Sequence, residues 1–138
     1  MNNIIVMKFG GSSVATPEKI KIVAARVAKK SKSYKVVVVV SAPGDMTDDL
    51  ITKATRITLL PDPREMDMLL ATGEMQSIAL LSMAIRSMGK DSISLTGPQA
   101  GIHADNVHTK AKIRKIMPQK IIKELQKGKV VIVAGFQG

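Results

Sequence analysis

A three-layer α/β fold, with helices on both faces of a mainly parallel sheet, is predicted by three features of the sequence. Short β-branched apolar runs alternate with amphipathic stretches. Val36–Val40 is apolar at every position, as a parallel strand covered on both faces must be. Glycine or proline then closes the runs, leaving room for right-handed crossovers. In such sheets ligands collect beyond the C-terminal strand ends. Chemistry is therefore expected in Gly10–Val14, Ser41–Thr47, Thr96–Asp105 and Gly135–Gly138.

Each element has its own local reason. Ile4-Ile5-Val6-Met7 reads as a strand that runs into the turn Lys8-Phe9-Gly10-Gly11-Ser12-Ser13. Thr16-Pro17 starts a helix, because Thr can cap it and Pro suits the first position, where its missing N–H is not needed. Ile20, Val23, Ala24, Val27 and Ala28 form one face of that helix, and Lys19, Lys21, Arg26 and Lys29 fall mostly elsewhere. Val36–Val40 follows, ended by Ser41-Ala42-Pro43-Gly44. Asp45 to about Leu60 reads as a helix, with Thr47 or Asp45 near its cap, and Pro61-Asp62-Pro63 stops it. From Arg64 to Met88 the pattern Met66, Leu69, Leu70, Met75, Ile78, Ala79, Met83 is helical, interrupted near Gly73, with the methionines filling core. Asp91–Leu95 is a further strand, Gly97–His108 a loop, and Gln119–Lys127 a helix after Pro118. Gly128 stops that helix, and Val130–Ala134 is the last strand, closed by Gly135.

Composition narrows the classes without choosing one. A length of 138 residues is about one domain, and 45% hydrophobic residues can furnish a core. The absence of cysteine excludes disulfides and thiolate zinc sites. Val36–Val40, the longest fully apolar run, is far short of the about 20 residues that cross a bilayer, so no membrane association is expected. Met1–Gly10 lacks a basic lead followed by an apolar core, so no secretory signal is expected and a cytoplasmic location is the default. Lys and Arg number 21 against 11 Asp and Glu, a net charge of +10 that calls for an anionic partner. Nucleic acid is the first candidate by charge. Yet only Phe9, Tyr34 and Phe136 could stack on bases, and the cations are spread along the chain. The densest cluster, Lys110, Lys112, Arg114 and Lys115 with Lys120 and Lys123 beyond, reads as a solvated helix face.

Three segments could carry chemistry. In Lys8-Phe9-Gly10-Gly11-Ser12-Ser13 two glycines after a strand let successive N–H groups form an anion nest that a phosphate can approach closely. Lys8 adds a mobile charge and the serines add hydroxyls; the plainer alternative is a tight turn beside a solvated lysine. The pattern is neither a Walker loop nor GxGxxG. In the second strand-end loop Ser41 and Thr47 offer hydroxyls and Gly44 permits close approach, or the segment is an ordinary helix entry. Ala71-Thr72-Gly73-Glu74 places a glycine and an acid in an apolar helical pattern, which is costly. Either Glu74 opens a new helix where the dipole favours it, or its carboxylate recognises an ammonium group. His103, Asp105 and His108 match no tight zinc spacing, so a polar loop is expected there and no metal ligand is assigned.

Together these segments resemble the aspartokinases of the amino acid kinase family. The matching pieces are Val6-Met7-Lys8-Phe9-Gly10-Gly11-Ser12-Ser13-Val14, Val39-Val40-Ser41-Ala42-Pro43-Gly44 with Thr47 and Asp49-Leu50, Ala71-Thr72-Gly73-Glu74, and Val133-Ala134-Gly135-Phe136-Gln137-Gly138. They stand in the family's order along essentially the whole chain. Pro43, where the family commonly has methionine, is a departure that stiffens the loop and leaves Ser41 and Thr47 in place.

The resemblance implies the amino acid kinase fold and transfer of the γ-phosphoryl group of ATP to the side-chain carboxylate of L-aspartate, with Mg2+ accompanying the nucleotide. It implies that Lys8 is catalytic, that Lys8, Phe9, Gly10, Gly11 and Ser12 bind the phosphates, and that Ser41, Thr47 and Glu74 bind the amino acid. It also implies a homodimer for the full-length protein. Residues 1–138 would then be the N-terminal part of the catalytic domain, without the remaining nucleotide-binding half or regulatory domains, and unable alone to turn over ATP at a useful rate. Three other readings stay open: a family member acting on glutamate or a nucleotide, a non-catalytic basic module that binds nucleic acid, and a structural fragment that pairs with a missing half or itself.

Overall fold

The computed structural model describes residues 3–104 and 113–135. The expected three-layer architecture is present. Strands β1 (Ile4–Phe9), β2 (Lys35–Val40), β3 (Ser92–Leu95) and β6 (Val130–Ala134) form one parallel sheet in the order β1-β2-β6-β3. Its centre is the pair β2 and β6, in register from Val37 opposite Val131 to Val40 opposite Ala134. Both are nearly continuous β-branched runs, and β6 is buried at all five positions, as expected of strands with both faces covered.

The alternation of side chains sorts the sheet residues between two cores. Val36, Val38, Val40, Val130, Ile132 and Ala134 pack with Phe9 under helices α1 (Pro17–Lys30) and α3 (Pro63–Ser87). On the other face Val37, Val131, Val133 and Leu95 pack with Leu125 of helix α4 (Gln119–Gln126). Helix α1 begins as its sequence requires: the Thr16 hydroxyl accepts from the Lys19 N–H at 3.2 Å, and Pro17 occupies the first turn. Its apolar face buries Ile20, Val23, Ala24 and Val27. Each of the larger side chains contributes about 1.5–3 kcal/mol to the packing.

Four expectations are corrected. Helix α3 is continuous through Gly73, so Glu74 lies in mid-helix and not at a helix start. Met75 and Met83 do not fill the core: they are 47% and 65% exposed, on the outer face of α3 with Met68. Residues 113–116 are not helical. They form strand β5 (Ile113–Ile116), antiparallel to β4 (Ile102–Ala104), inside the region read as a loop. Helix α2 (Met46–Ile57) ends three residues before Leu60, and its N-cap Asp45 makes no side-chain capping bond.

Helix α3 has the length and hydropathy of a membrane-crossing helix, but its inner face belongs to the core. It buries Asp67, Glu74, Ser77 and Ser82 beside Ile78, Leu81 and Ile85, and the Ser82 and Ser92 hydroxyls meet at 2.7 Å to tie it to β3.

Candidate active site

The C-terminal ends of β1, β2 and β6 are joined by backbone contacts that begin with the chain's small residues. The Ser41 N–H donates to the Phe9 carbonyl at 3.2 Å, and the Gly44 N–H to the Gly11 carbonyl at 2.8 Å. The Gly135 N–H donates to the Val40 carbonyl at 2.9 Å. Three of the four strand ends are thereby fixed to one another.

Ala42 is the hub of this arrangement, buried where Gly11 and Gly73 make close approaches to it. A Cβ on Gly11 would stand 2.7 Å from the Ala42 carbonyl oxygen, and one on Gly73 would stand 2.8 Å from the Ala42 Cβ. Those separations are well inside carbon contact distance, so no side chain fits at either position without movement. Gly73, which costs about 1 kcal/mol in a helix relative to Ala, is thus the residue that lets α3 lie against the β2-end loop. Gly44, at φ +51, supplies the left-handed turn that returns this loop toward α2.

The same contact brings Glu74 in. It is 5% exposed, and its Oε2 has no hydrogen-bond partner among the described residues. Burial raises its pKa above the ordinary 4.5, and the backbone N–H groups of Glu74 and Ala42 pull in the opposite direction. A buried carboxylate with one unpaired oxygen is expensive unless a cation completes it. Ser77, one turn further along α3, is fully buried and its hydroxyl likewise lacks a partner.

On the opposite side of the strand ends, Lys8 is exposed near the end of β1, in register with Val39. Gly10, extended at φ −80 and ψ 176, leads into a single 3-10 turn, Gly11–Val14, so the Gly11 and Ser12 N–H groups lie at its open first end. The Phe9 side chain is in the core, 6% exposed, with the Arg26 guanidinium 5.5 Å from its ring centre. Phe9 therefore serves the site through its carbonyl, which holds Ser41. Thr47 is half-buried in the first turn of α2, and Ser41 is half-buried between them.

The structure thus gathers Lys8, Gly10, Gly11, Ser12, Ser41, Thr47 and Glu74 around the same strand ends. Ala42 is the participant that sequence reasoning missed, and no residue-type signal marks it. His103 is exposed on β4, and Asp105 and His108 lie outside the described residues. Among the described residues no group of three His, Asp or Glu side chains could hold a metal ion.

Known proteins resemble this chain in sequence and fold. Residues 3–138 match the amino acid kinase family. Over 136 residues the chain is 53% identical to aspartokinase 2 of Bacillus subtilis (strain 168), covering 98% of this chain and 33% of that protein. The crystal structure of aspartate kinase from Synechocystis superposes with a TM-score of 0.84 at 48% identity, over 98% of this chain and 22% of that one. Escherichia coli aspartokinase III, solved in complex with aspartate and ADP, shares the fold at a TM-score of 0.78 and 18% identity, over 98% of this chain and 41% of that one. The chain spans about a third of the length of the curated relatives it matches.

Proposed function

Because the chain belongs to the amino acid kinase family, we propose that the protein it represents is an aspartate kinase. The reaction is ATP-dependent phosphorylation of the side-chain carboxylate of L-aspartate to 4-phospho-L-aspartate, an entry into lysine, threonine and methionine synthesis. One observation carries the choice of an amino acid as acceptor: Glu74, buried and with an unpaired oxygen, sits against the strand-end loops. An α-ammonium group is the partner such a carboxylate requires.

The two substrates repel each other, since one brings a polyphosphate and the other a carboxylate nucleophile. Catalysis of such a transfer is mostly alignment and charge stabilisation. Lys8 neutralises phosphate charge from the β1 side, and the Gly10-Gly11-Ser12 backbone offers N–H groups where no side chain obstructs approach. Glu74 holds the ammonium end of aspartate from the α3 side, with Ser41 and Thr47 offering hydroxyls between them. The aspartate side-chain oxygen then forms a bond to the γ-phosphorus as the bond to the β,γ-bridging oxygen breaks, and ADP departs. No proton transfer is needed, because the nucleophile is already ionised. ATP supplies the phosphoryl group when bound. Mg2+ would accompany the nucleotide and offset phosphate charge; the described residues include no group of three His, Asp or Glu side chains that could hold it.

In this reading residues 1–138 are the N-terminal part of the catalytic domain of a cytoplasmic, homodimeric enzyme. The test is a coupled ADP-release assay of the intact gene product against aspartate, glutamate and UMP. Aspartate-dependent ADP release is expected, with the other two acceptors far poorer. Preferred turnover of glutamate or UMP would overturn the assignment.

A further inference from the structure

At the opposite pole of the sheet, where the parallel strands begin, the structure holds a cleft of about 140 Å³. Its polar wall comes from three separate segments: Ser31, Tyr34 and Lys35 from the end of α1 to the start of β2, Lys90 after α3, and Gln126 and Lys129 from the end of α4 to the start of β6. The three lysines are only partly exposed, an uncommon state for a residue type that usually projects into water.

Their backbones are fixed. The Lys35 N–H donates to the Asn3 carbonyl at 2.9 Å, the Lys90 N–H to the Ile85 carbonyl at 3.4 Å, and the Lys129 N–H to the Glu124 carbonyl at 3.2 Å. The fold therefore sets the backbone positions of all three lysines around the cleft.

The local carboxylates neutralise this wall only at Lys129. Glu124 is buried, and burial alone would raise its pKa. The ammonium groups of Lys129, Lys120 and Lys127 outweigh that and hold its carboxyl at about 2. Its Oε1 is committed to Lys120 and Lys127 at 3.3 and 3.4 Å, and its Oε2 lies 3.3 Å from Lys129. Asp91, the other nearby acid, is paired with Arg86. Lys35 and Lys90 are left with no ion-pair partner among the described residues. A cleft lined by charge of one sign concentrates counter-ions, and lysine is a common phosphate ligand.

We propose that this cleft is a binding site for a small phosphate-bearing anion, held by Lys35 and Lys90 with the Tyr34 hydroxyl and the Gln126 amide as neutral donors. The site is separate from the strand-end cluster around Ala42 and does not depend on the kinase reading. Its ligand is compact, because Lys35 and Lys90 line one cleft of about 140 Å³.

Amide NMR titrations of the intact gene product with inorganic phosphate, pyrophosphate and ADP at physiological salt test it. Saturable shifts at Lys35, Lys90, Gly128 and Lys129 are expected. Affinity should weaken about tenfold or more in the Lys35→Gln/Lys90→Gln variant. Lys35→Arg, which keeps the charge, should retain binding, and Lys8→Gln should leave these shifts unchanged while removing any at the strand-end cluster. Equal affinity for pyrophosphate and ADP identifies the phosphates as the whole ligand, and tighter ADP binding identifies a nucleotide as their source. Shifts that never saturate, that spread over Lys19, Lys21 and Lys53, or that persist unchanged in the double variant overturn the proposal.

Discussion

Replacing Gly73 by Ala separates two opposed effects whose sizes follow from the structure. In an isolated helix the change stabilises by about 1 kcal/mol, because glycine gives up more backbone freedom on folding. In α3 the new Cβ stands 2.8 Å from the Ala42 Cβ, about 1 Å inside comfortable carbon contact. Ala42 has no rotamer to give, so the β2-end loop or the helix must shift, and overpacking of this kind costs about 1–3 kcal/mol. Gly73→Ala should therefore destabilise by up to about 2 kcal/mol. In an Ala42→Gly background the obstructing methyl is absent, and the same substitution should instead stabilise by up to about 1 kcal/mol. Urea unfolding of the four proteins in a double-mutant cycle measures this directly. The effect of Gly73→Ala should change sign with the residue at 42. Stabilisation in both backgrounds would refute the claim that Gly73 exists for the approach of Ala42.

Gly11→Ala faces a harder obstacle, since the Ala42 and Gly44 carbonyl oxygens lie 2.7 and 3.2 Å from the added atom; thermal unfolding should show a loss of about 1–3 kcal/mol. The Glu124 carboxyl, held at about 2 against an ordinary 4.5, binds fewer protons in the folded than in the unfolded chain between those values. Its contribution to stability is therefore present above pH 4.5 and lost as pH falls toward 2, and Glu124→Gln should flatten that limb of the unfolding midpoint against pH. Glu74 has the opposite sign: its raised pKa means that stability declines as pH rises from 4.5 through the folded value. Glu74→Gln should leave the ligand-free protein at least as stable as wild type at neutral pH, and a fall in its melting temperature there would contradict the description of Glu74 as an uncompensated buried charge.

The central strands and the first helix were legible because their causes are local. Val36–Val40 and Val130–Ala134 are β-branched and apolar throughout, and Thr16-Pro17 carries its own start signal. Gly73 was misread for an instructive reason. Its helical cost was visible in the sequence, but the contact with Ala42 that offsets it joins residues 31 positions apart. Ile113–Ile116 is charge-rich and reads as a helix face, whereas its antiparallel pairing with Ile102–Ala104 is settled by a partner strand. The glycine nest and Glu74 were visible as unusual residues, and their meeting at one strand end was not. Phe9 shows the limit of a motif: its neighbours face the site, but the two-residue period of a strand turns its ring into the core.

The proposed division of labour between Lys8 and Glu74 is tested most directly by steady-state kinetics of the intact gene product carrying Glu74→Gln. Losing a buried charge-assisted contact to the ammonium group should raise KM for aspartate about tenfold to a hundredfold, with KM for ATP within about twofold of wild type. A KM for ATP that rises while that for aspartate stays unchanged would contradict the placement of the amino acid beside Glu74.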